Sequence, residues 1–459
     1  MPDRVPFAHP WSEDTIGSKA EVTVGGTPST TVARYWGGHV PWMSSGDVHL
    51  RRISDVSGRI TEAGLRASAA KMVEPPAVAI ALAGQGKTRG TAALTEIALC
   101  TNQSVALITP RDDELDALYL YYALDYRYEE LRARSAGGGR AGLTKQIVQN
   151  VPVPLPHPNE QSHIAEILNT LDATIRETEA VVAKLRQVKA GLLHDLLTRG
   201  LDEHGQLRDP ARYPEQLQNS PLGQLPKACQ TPNIGEIASH VRSGVTPTGG
   251  SEVYRKEGVT FVRSQNVTFD GLLLDDVVFI TPATHAAMNR SEVFPFDVLL
   301  NITGASIGRC CYVPDDFPPA NVNQHVCALR LPKPRFEDGG FLAAILASHI
   351  GQSQIDRHNA GGNREGLNYT QAKGFVVPWP EPDERAAIAN RIEAAKTRLQ
   401  AEESQVSKLH FLKRGLAHDL LTGRVRVNPF NPVLQFRHWG RGVRNVNWRA
   451  FRVSGPVQK

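Results

Sequence analysis

GLLHDLLT stands at residues 191–198 and GLAHDLLT at residues 415–422, one substitution apart and 224 positions later. The same offset holds upstream without a gap. Val153-Pro154-Leu155-Pro156 matches Val377-Pro378-Trp379-Pro380, Glu160 matches Glu384, and Lys184-Leu185 matches Lys408-Leu409. AGGGRAGL at 136–143 matches AGGNREGL at 360–367. Nearer the N-terminus the offset shrinks slightly, as short insertions require. Gly25-Gly26-Thr27-Pro28 pairs with Gly244-Val245-Thr246-Pro247, and Trp42 and Asp47-Val48 pair with Phe261 and Asn266-Val267. Asn102-Gln103 pairs with Asn323-Gln324. One unit of about 200 residues is therefore written twice, which excludes the short periods of solenoids.

Each copy follows one plan. Short apolar runs (VPWM, AVAIALAG and SVALI, then VTFVR, VVFI, VLLNI and VCALRL) are separated by Gly, Pro, Asn and Asp, and read as strands and turns. A helix follows near 113–134 and near 340–357, then a glycine-rich loop and a proline-rich strand at 151–158 and 376–382. A long helix closes each copy, with Pro158 or Pro382 in its first turn and the adjacent Asn159 or Asp383 as cap.

The apolar positions of these helices recur at alternating spacings of four and three. The seam runs through Ile164, Leu168, Leu171, Val182 and Leu185 in the first copy, and Ile388, Ile392, Val406 and Leu409 in the second. That is a coiled-coil heptad over about 40 residues, or roughly 60 Å of helix. The simplest arrangement packs the two helices antiparallel about a pseudo-two-fold axis; bundling with helices of a partner is the alternative. The expected class is α+β, two duplicated globular domains separated by a helix pair. The boundaries are 1–157 for the first domain, 158–200 for its helix and 201–232 for a linker. The second domain takes 233–381 and its helix 382–423, followed by a basic tail at 424–459.

Composition narrows the function classes only broadly. The 459 residues include 51 Lys and Arg against 47 Asp and Glu, a balance that permits a polyanionic partner without demanding one. Five cysteines (Cys100, Cys229, Cys310, Cys311 and Cys327) show no zinc-type spacing, so no metal is expected. The odd count and the polar, proline-broken start imply a reducing, cytoplasmic setting. No apolar stretch approaches the roughly 20 residues that span a bilayer.

Two variable units, each ending in P-x-P-x-x-x-E and a long helix that closes on HDLLT, resemble the specificity subunit of type I restriction–modification systems. The resemblance covers about residues 20–425. It rests most on Gly25-Gly26-Thr27-Pro28 with Tyr35-Trp36 and Pro41-Trp42, on Cys100-Thr101-Asn102-Gln103, and on the two helix starts. It implies that the globular parts are target-recognition domains, each reading one half of a split, asymmetric site in double-stranded DNA, with the helices setting the spacing. It also implies no catalytic residue and no cofactor in this chain. Two methyltransferase subunits would supply adenine-N6 methylation with S-adenosylmethionine, and restriction/translocase subunits would use ATP and Mg.

Base-reading chemistry favours Arg and Lys for guanine and Asn and Gln for adenine. The candidates are Arg51, Arg52, Gln85, Lys87 and Arg89 in the first copy, and Arg263, Gln265, Ser306 and Arg309 in the second. The Asn-Gln pairs occur in both copies, so they read as framework rather than as readers of different bases.

Other motifs compete. Gly86-Lys87-Thr88 after an apolar run suggests a phosphate-binding P-loop, but Ala81 stands where that pattern needs glycine. Asn428-Pro429-Phe430 resembles an adenine methyltransferase motif without the required cofactor glycines. His194-Asp195 and His418-Asp419 are adjacent pairs that a helix points apart. Tyr119, Tyr121, Tyr122, Tyr126 and Tyr128 suit core packing better than base stacking. The basic, aromatic tail could grip phosphates, a partner or nothing. The rival functions are a nucleotide-binding P-loop protein and a coiled-coil tether between two protein-binding domains.

Overall fold

The computed structural model describes residues 11–84, 86–134, 142–359 and 366–427. Gln85, most of both glycine-rich loops, Asn428-Pro429-Phe430 and the rest of the basic tail lie outside the described residues. The chain forms two units. Unit 1 comprises Met1–Glu177 with Val406–Lys459, and unit 2 comprises Thr178–Gln405. Among the described residues no helix is long and apolar enough to cross a membrane.

In unit 1 a five-stranded sheet has the order Ala20–Val24, Val105–Pro110, Ala77–Ala81, Ala92–Thr95, Arg52–Ile53. Unit 2 repeats its first four strands, as His240–Ser243, Val326–Arg330, Val298–Asn301 and Cys310–Tyr312, in the same order and all antiparallel. The correspondence extends to register. Trp42 lies beside Cys100 in a parallel pair, as Phe261 lies beside Asn321, and Val40 opposes Ile60 antiparallel, as Val259 opposes Ile280. The central strands are apolar runs of the sequence because they are buried on both faces; Ala77–Ala81 and Val298–Asn301 are buried throughout, whereas the edge strands Ala20–Val24 and His240–Ser243 are only partly covered.

The shared Gly-x-Thr-Pro segment has a steric cause. A Cβ on Gly25 would lie 1.8 Å from the Thr101 carbonyl oxygen, and one on Gly244 would lie 1.6 Å from the equivalent oxygen of Val322. Only glycine lets the backbones meet this closely.

The expected helix after the sheet is broken in both units. Ala117–Tyr126 and Tyr128–Ala133 are separated at Arg127, and Phe336–Ala347 and His349–Asn359 at Ser348. Tyr119, Tyr121 and Tyr122 are buried, with the Tyr119 hydroxyl donating to the Pro154 carbonyl (3.0 Å) and that of Tyr122 to Asp172 (3.0 Å). These three tyrosines are core, whereas Tyr126 and Tyr128 are half-buried.

The long helices span Pro158–Thr198 and Pro382–Leu421. Proline is the first helical residue of each, so Asn159 and Asp383 lie within the first turn rather than at the cap. His157 precedes the first helix, and its Nδ1 accepts from the Asn159 amide (3.3 Å). Segment 201–232, expected as a plain linker, carries a hairpin of Leu217–Ser220 with Gly223–Pro226.

Each unit contains half of both long helices, and the halves run antiparallel. In unit 1 Ile164, Leu168, Leu171 and Ile175 share a buried cluster with Leu409, Leu416 and Leu420, and Lys413 pairs with Asp172 at 2.7 Å. In unit 2 Leu196 and Leu197 join Ile388 and Ala389, with Ile392 packed against them, and Arg186 pairs with Glu403 at 2.6 Å. Val182 is buried, whereas Leu185 and Val406 are half-buried, so the stripe narrows to a seam only towards mid-helix.

A carboxylate joint closes each arrangement. Glu160 accepts from Arg426 Nε and Nη2 (both 2.7 Å), from the Trp11 indole (3.2 Å) and from the Val427 amide (3.3 Å). Glu384 accepts from Arg208 Nη1 and Nη2 (2.6 and 3.1 Å) and from the Leu201 amide (2.7 Å). Both acids sit in a first helical turn, where the helix dipole favours negative charge. Each clamps chain leaving the C-terminus of the other long helix.

Candidate nucleic-acid interface

Three loops converge at one end of each unit. The first follows the strand Trp36–Met43, where the Ser44 amide and hydroxyl donate to Asp47 (2.7 and 2.8 Å) and close a turn. In unit 2 the Arg263 amide donates to Asn266 Oδ1 (2.9 Å) in the same turn. The second loop holds the shared Asn-Gln pairs. Asn102 Oδ1 accepts from the Ser104 amide (3.0 Å), and Asn323 Oδ1 from the His325 amide (3.1 Å). The third loop is tied to the second by Leu82 N–H to the Ser104 carbonyl (2.8 Å), and in unit 2 by Ile302 N–H to that of His325 (2.9 Å). The shared asparagines thus shape turns.

On this common frame the two units carry different side chains. In unit 2 Gln265, Ser306 and Arg309 line an open cleft of about 460 Å³ with Thr303, Gly304 and His325. Arg309 is exposed, and Arg263 is adjacent, donating from Nη2 to the Asp276 carbonyl (2.8 Å). Four residues picked from sequence therefore gather at one loop end. His325 Nδ1 is 2.5 Å from the Thr303 hydroxyl, which fixes its ring across the cleft.

In unit 1 Lys87 is exposed and Arg89 half-buried in the loop between Ala77–Ala81 and Ala92–Thr95. This loop is braced from behind. The Tyr128 hydroxyl donates to the Lys87 carbonyl (2.9 Å), Arg132 donates to that of Gly86 (2.5 Å), and His49 Nε2 meets the Thr88 hydroxyl at 3.0 Å.

Arg51 and Arg52 are placed otherwise. Arg51 is salt-bridged to Asp125, and Arg52 to Glu96 (3.0 Å) and hydrogen-bonded to Asn169 of the long helix. Both guanidinium groups stitch the sheet to its helical layer. The positions equivalent to Arg263 and Gln265 are Ser44 and Gly46. Neither is one of the Arg, Lys, Asn or Gln side chains that base-reading chemistry favours, although the match of Asp47-Val48 to Asn266-Val267 identifies both positions by counting back.

The P-loop alternative fails on topology. Ala77–Ala81 and Ala92–Thr95 pair antiparallel, so Gly86-Lys87-Thr88 forms the tip of a hairpin. No helix follows to offer its N-terminus to a phosphate. All five cysteines are free and buried; burial pushes Cys100 up to about 11 and Cys311 to about 12, away from thiolate chemistry. His418 meets the Tyr126 hydroxyl (2.8 Å) while Asp419 faces Arg424 (3.6 Å), so these neighbours serve separate contacts. Among the described residues no group of three or more His, Cys, Asp or Glu could hold a metal ion.

Residues 9–187 match the family model described as the type I restriction modification DNA specificity domain. The MjaVIII specificity subunit of Methanocaldococcus jannaschii is 23% identical over 320 residues, spanning 69% of this chain and 72% of that one. The EcoBI specificity subunit of Escherichia coli is 25% identical over 333 residues, 71% of this chain and 68% of that one. Residues 9–187 carry the type I specificity domain, and over about two thirds of its length the chain is similar to type I specificity subunits. The crystal structure of an S subunit from M. genitalium shares the fold of this chain, at a TM-score of 0.60 and 18% identity, covering 90% of this chain and 96% of that one.

Proposed function

We propose that this chain is the DNA sequence-specificity subunit of a type I restriction–modification complex, with one unit reading each half of a bipartite, asymmetric site. The observation that carries the reading is the pair of loop ends built on one backbone frame but bearing different side chains. Ser44 and Gly46 in unit 1 stand where unit 2 has Arg263 and Gln265, and Ser104 stands where unit 2 has His325. Identical readers would suit a palindrome; divergent readers suit two different half-sites.

In this reading Lys87 and Arg89 in unit 1, and Gln265, Ser306 and Arg309 in unit 2, approach base edges, while other cations meet phosphates and set register. Gln85 belongs with the first group by sequence. The chain performs no catalytic step. It delivers two methyltransferase subunits, which flip an adenine for N6 methylation with S-adenosylmethionine, and ATP- and Mg-dependent restriction/translocase subunits. The long helices act as spacer, and the complex works in the cytoplasm.

Exchanging residues 25–150 for the equivalent segment of another family member tests the assignment. Sequencing of methylated adenines should show one half-site changed and the other retained. Simultaneous change of both halves would refute two independent readers.

A further inference from the structure

A carboxylate at the reading end of a DNA-binding unit is anomalous, because it repels the phosphates that supply most of the affinity. Unit 2 has one at Asp276, an exposed residue that follows the hairpin Val267–Thr268 and Gly271–Leu272. Its contacts all converge on the first loop. One carboxylate oxygen accepts from Asn266 Nδ2 (3.0 Å) and the other from Gln265 Nε2, and Arg263 Nη2 is 3.6 Å from the carboxylate. The Asp276 backbone carbonyl accepts from the same Arg263 nitrogen at 2.8 Å.

The turn itself does not require this acid. Asn266 already caps it through Oδ1, and its amide is also held by the Leu273 carbonyl (2.9 Å). Unit 1 forms the same turn with Asp47 as its cap. What Asp276 adds is a hold on the side chains that line or flank the cleft. A free glutamine carries up to about 1.5–2 kcal/mol of rotamer entropy that base recognition must overcome. Gln265 tethered through one amide hydrogen keeps its second hydrogen and its carbonyl oxygen, the donor and acceptor that match adenine N7 and N6.

We propose that Asp276 is a positioning residue for specificity: it fixes Gln265 and Arg263 for base readout in unit 2, at a cost in general DNA affinity. The proposal rests on the specificity-subunit reading. Its signature is a split that a merely structural residue would not produce. Discrimination should fall at positions read by one half-site, while affinity for unrelated duplex stays level or rises because a negative charge has gone.

The test uses the full chain assembled with its methyltransferase subunits, and duplex pools randomised in one half-site at a time, beside a fixed non-specific duplex. Asp276→Ala should lose roughly tenfold or more of base preference in a single half-site, the size expected for a good bidentate contact. The other half-site should be unchanged and non-specific binding equal or tighter. Asp276→Asn, which retains an acceptor for Gln265 but not the charge, should keep most of the preference and gain non-specific affinity. It also serves should the alanine variant fold poorly. Unchanged preference in both variants overturns the proposal, as does loss at both half-sites together. A wild-type complex with no preference in either half overturns the functional reading beneath it, and the proposal with it.

Discussion

Glu160→Gln with Arg426→Met in unit 1, and Glu384→Gln with Arg208→Met in unit 2, make two double-mutant cycles on equivalent joints. The side chains of Glu384 and Arg208 are only 13% and 14% exposed, whereas Arg426 is 43% exposed beside a 6% exposed Glu160. Breaking a buried ion pair by removing one partner costs about 3–5 kcal/mol, while exposed pairs contribute about 0–1 kcal/mol. The unit 2 joint lies nearer the first limit. Arg208→Met leaves Glu384 with the Leu201 amide as donor and should cost about 3 kcal/mol. Arg426→Met leaves Glu160 with both the Trp11 indole and the Val427 amide, and solvent already screens the pair, so about 1–1.5 kcal/mol is expected. At about 2–4 °C per kcal/mol for units of this size, the unit 2 transition should fall by about 6–12 °C and the unit 1 transition by about 2–6 °C. Scanning calorimetry of the full chain reads both, and the cycles isolate the pairwise coupling from other effects of each substitution. A unit 2 coupling below about 0.5 kcal/mol, or one smaller than that in unit 1, would refute the claim that these carboxylates join the exchanged helix halves.

Four further outcomes are expected. Hydrogen bonds from Arg127 and then Arg134 hold Glu130 down to about 2, against an ordinary value of 4.5, so its ionised form stabilises the fold. That contribution is complete above about pH 4.5 and lost as pH falls towards 2; Glu130→Gln should flatten the melting temperature against pH in this window, and an unchanged slope counts against it. Gly25→Ala and Gly244→Ala should each lower the stability of their own unit by about 1–3 kcal/mol or more, and denaturation curves matching the parent would disprove the close approach. Arg309→Ala should weaken preference in one half-site and Lys87→Ala in the other, each by about 1–3 kcal/mol if the contact is to a base; a uniform loss with a reduced salt slope would instead assign phosphate contact. Because each unit holds half of both helices, a longer spacer needs paired insertions. Four residues after Ala183 and four after Gln405 add about 6 Å of rise, one or two base pairs of B-DNA, and the methylated motif should widen accordingly with its half-site bases kept.

The duplication and the strands were legible because both rest on local pattern. A repeated framework preserves its offsets, and a buried strand must be an apolar run. The break at Arg127 was less visible, since helical propensity continues through it; a buried guanidinium bound to Glu130 and to the Pro152 carbonyl ends the first segment there. Nothing local singles out Arg208 or Arg426 among the 51 basic residues, because their partners lie 176 and 266 residues away. In the candidate site, Gln265, Ser306 and Arg309 were chosen from residue chemistry, and all three line one cleft. Arg51 and Arg52 show the weakness of that criterion, since an arginine suited to guanine is equally suited to Asp125 or Glu96.

The exchange of helix halves separates the stretch that was copied from the body that folds. A single repeat, translated alone, would bring the start of its own long helix to its globular part but not the returning half that supplies Leu409, Leu416 and Leu420 to the first core. Two identical repeats could satisfy each other across a two-fold axis. The fused chain therefore has the form expected of an ancestral homodimer whose subunits were joined in one gene.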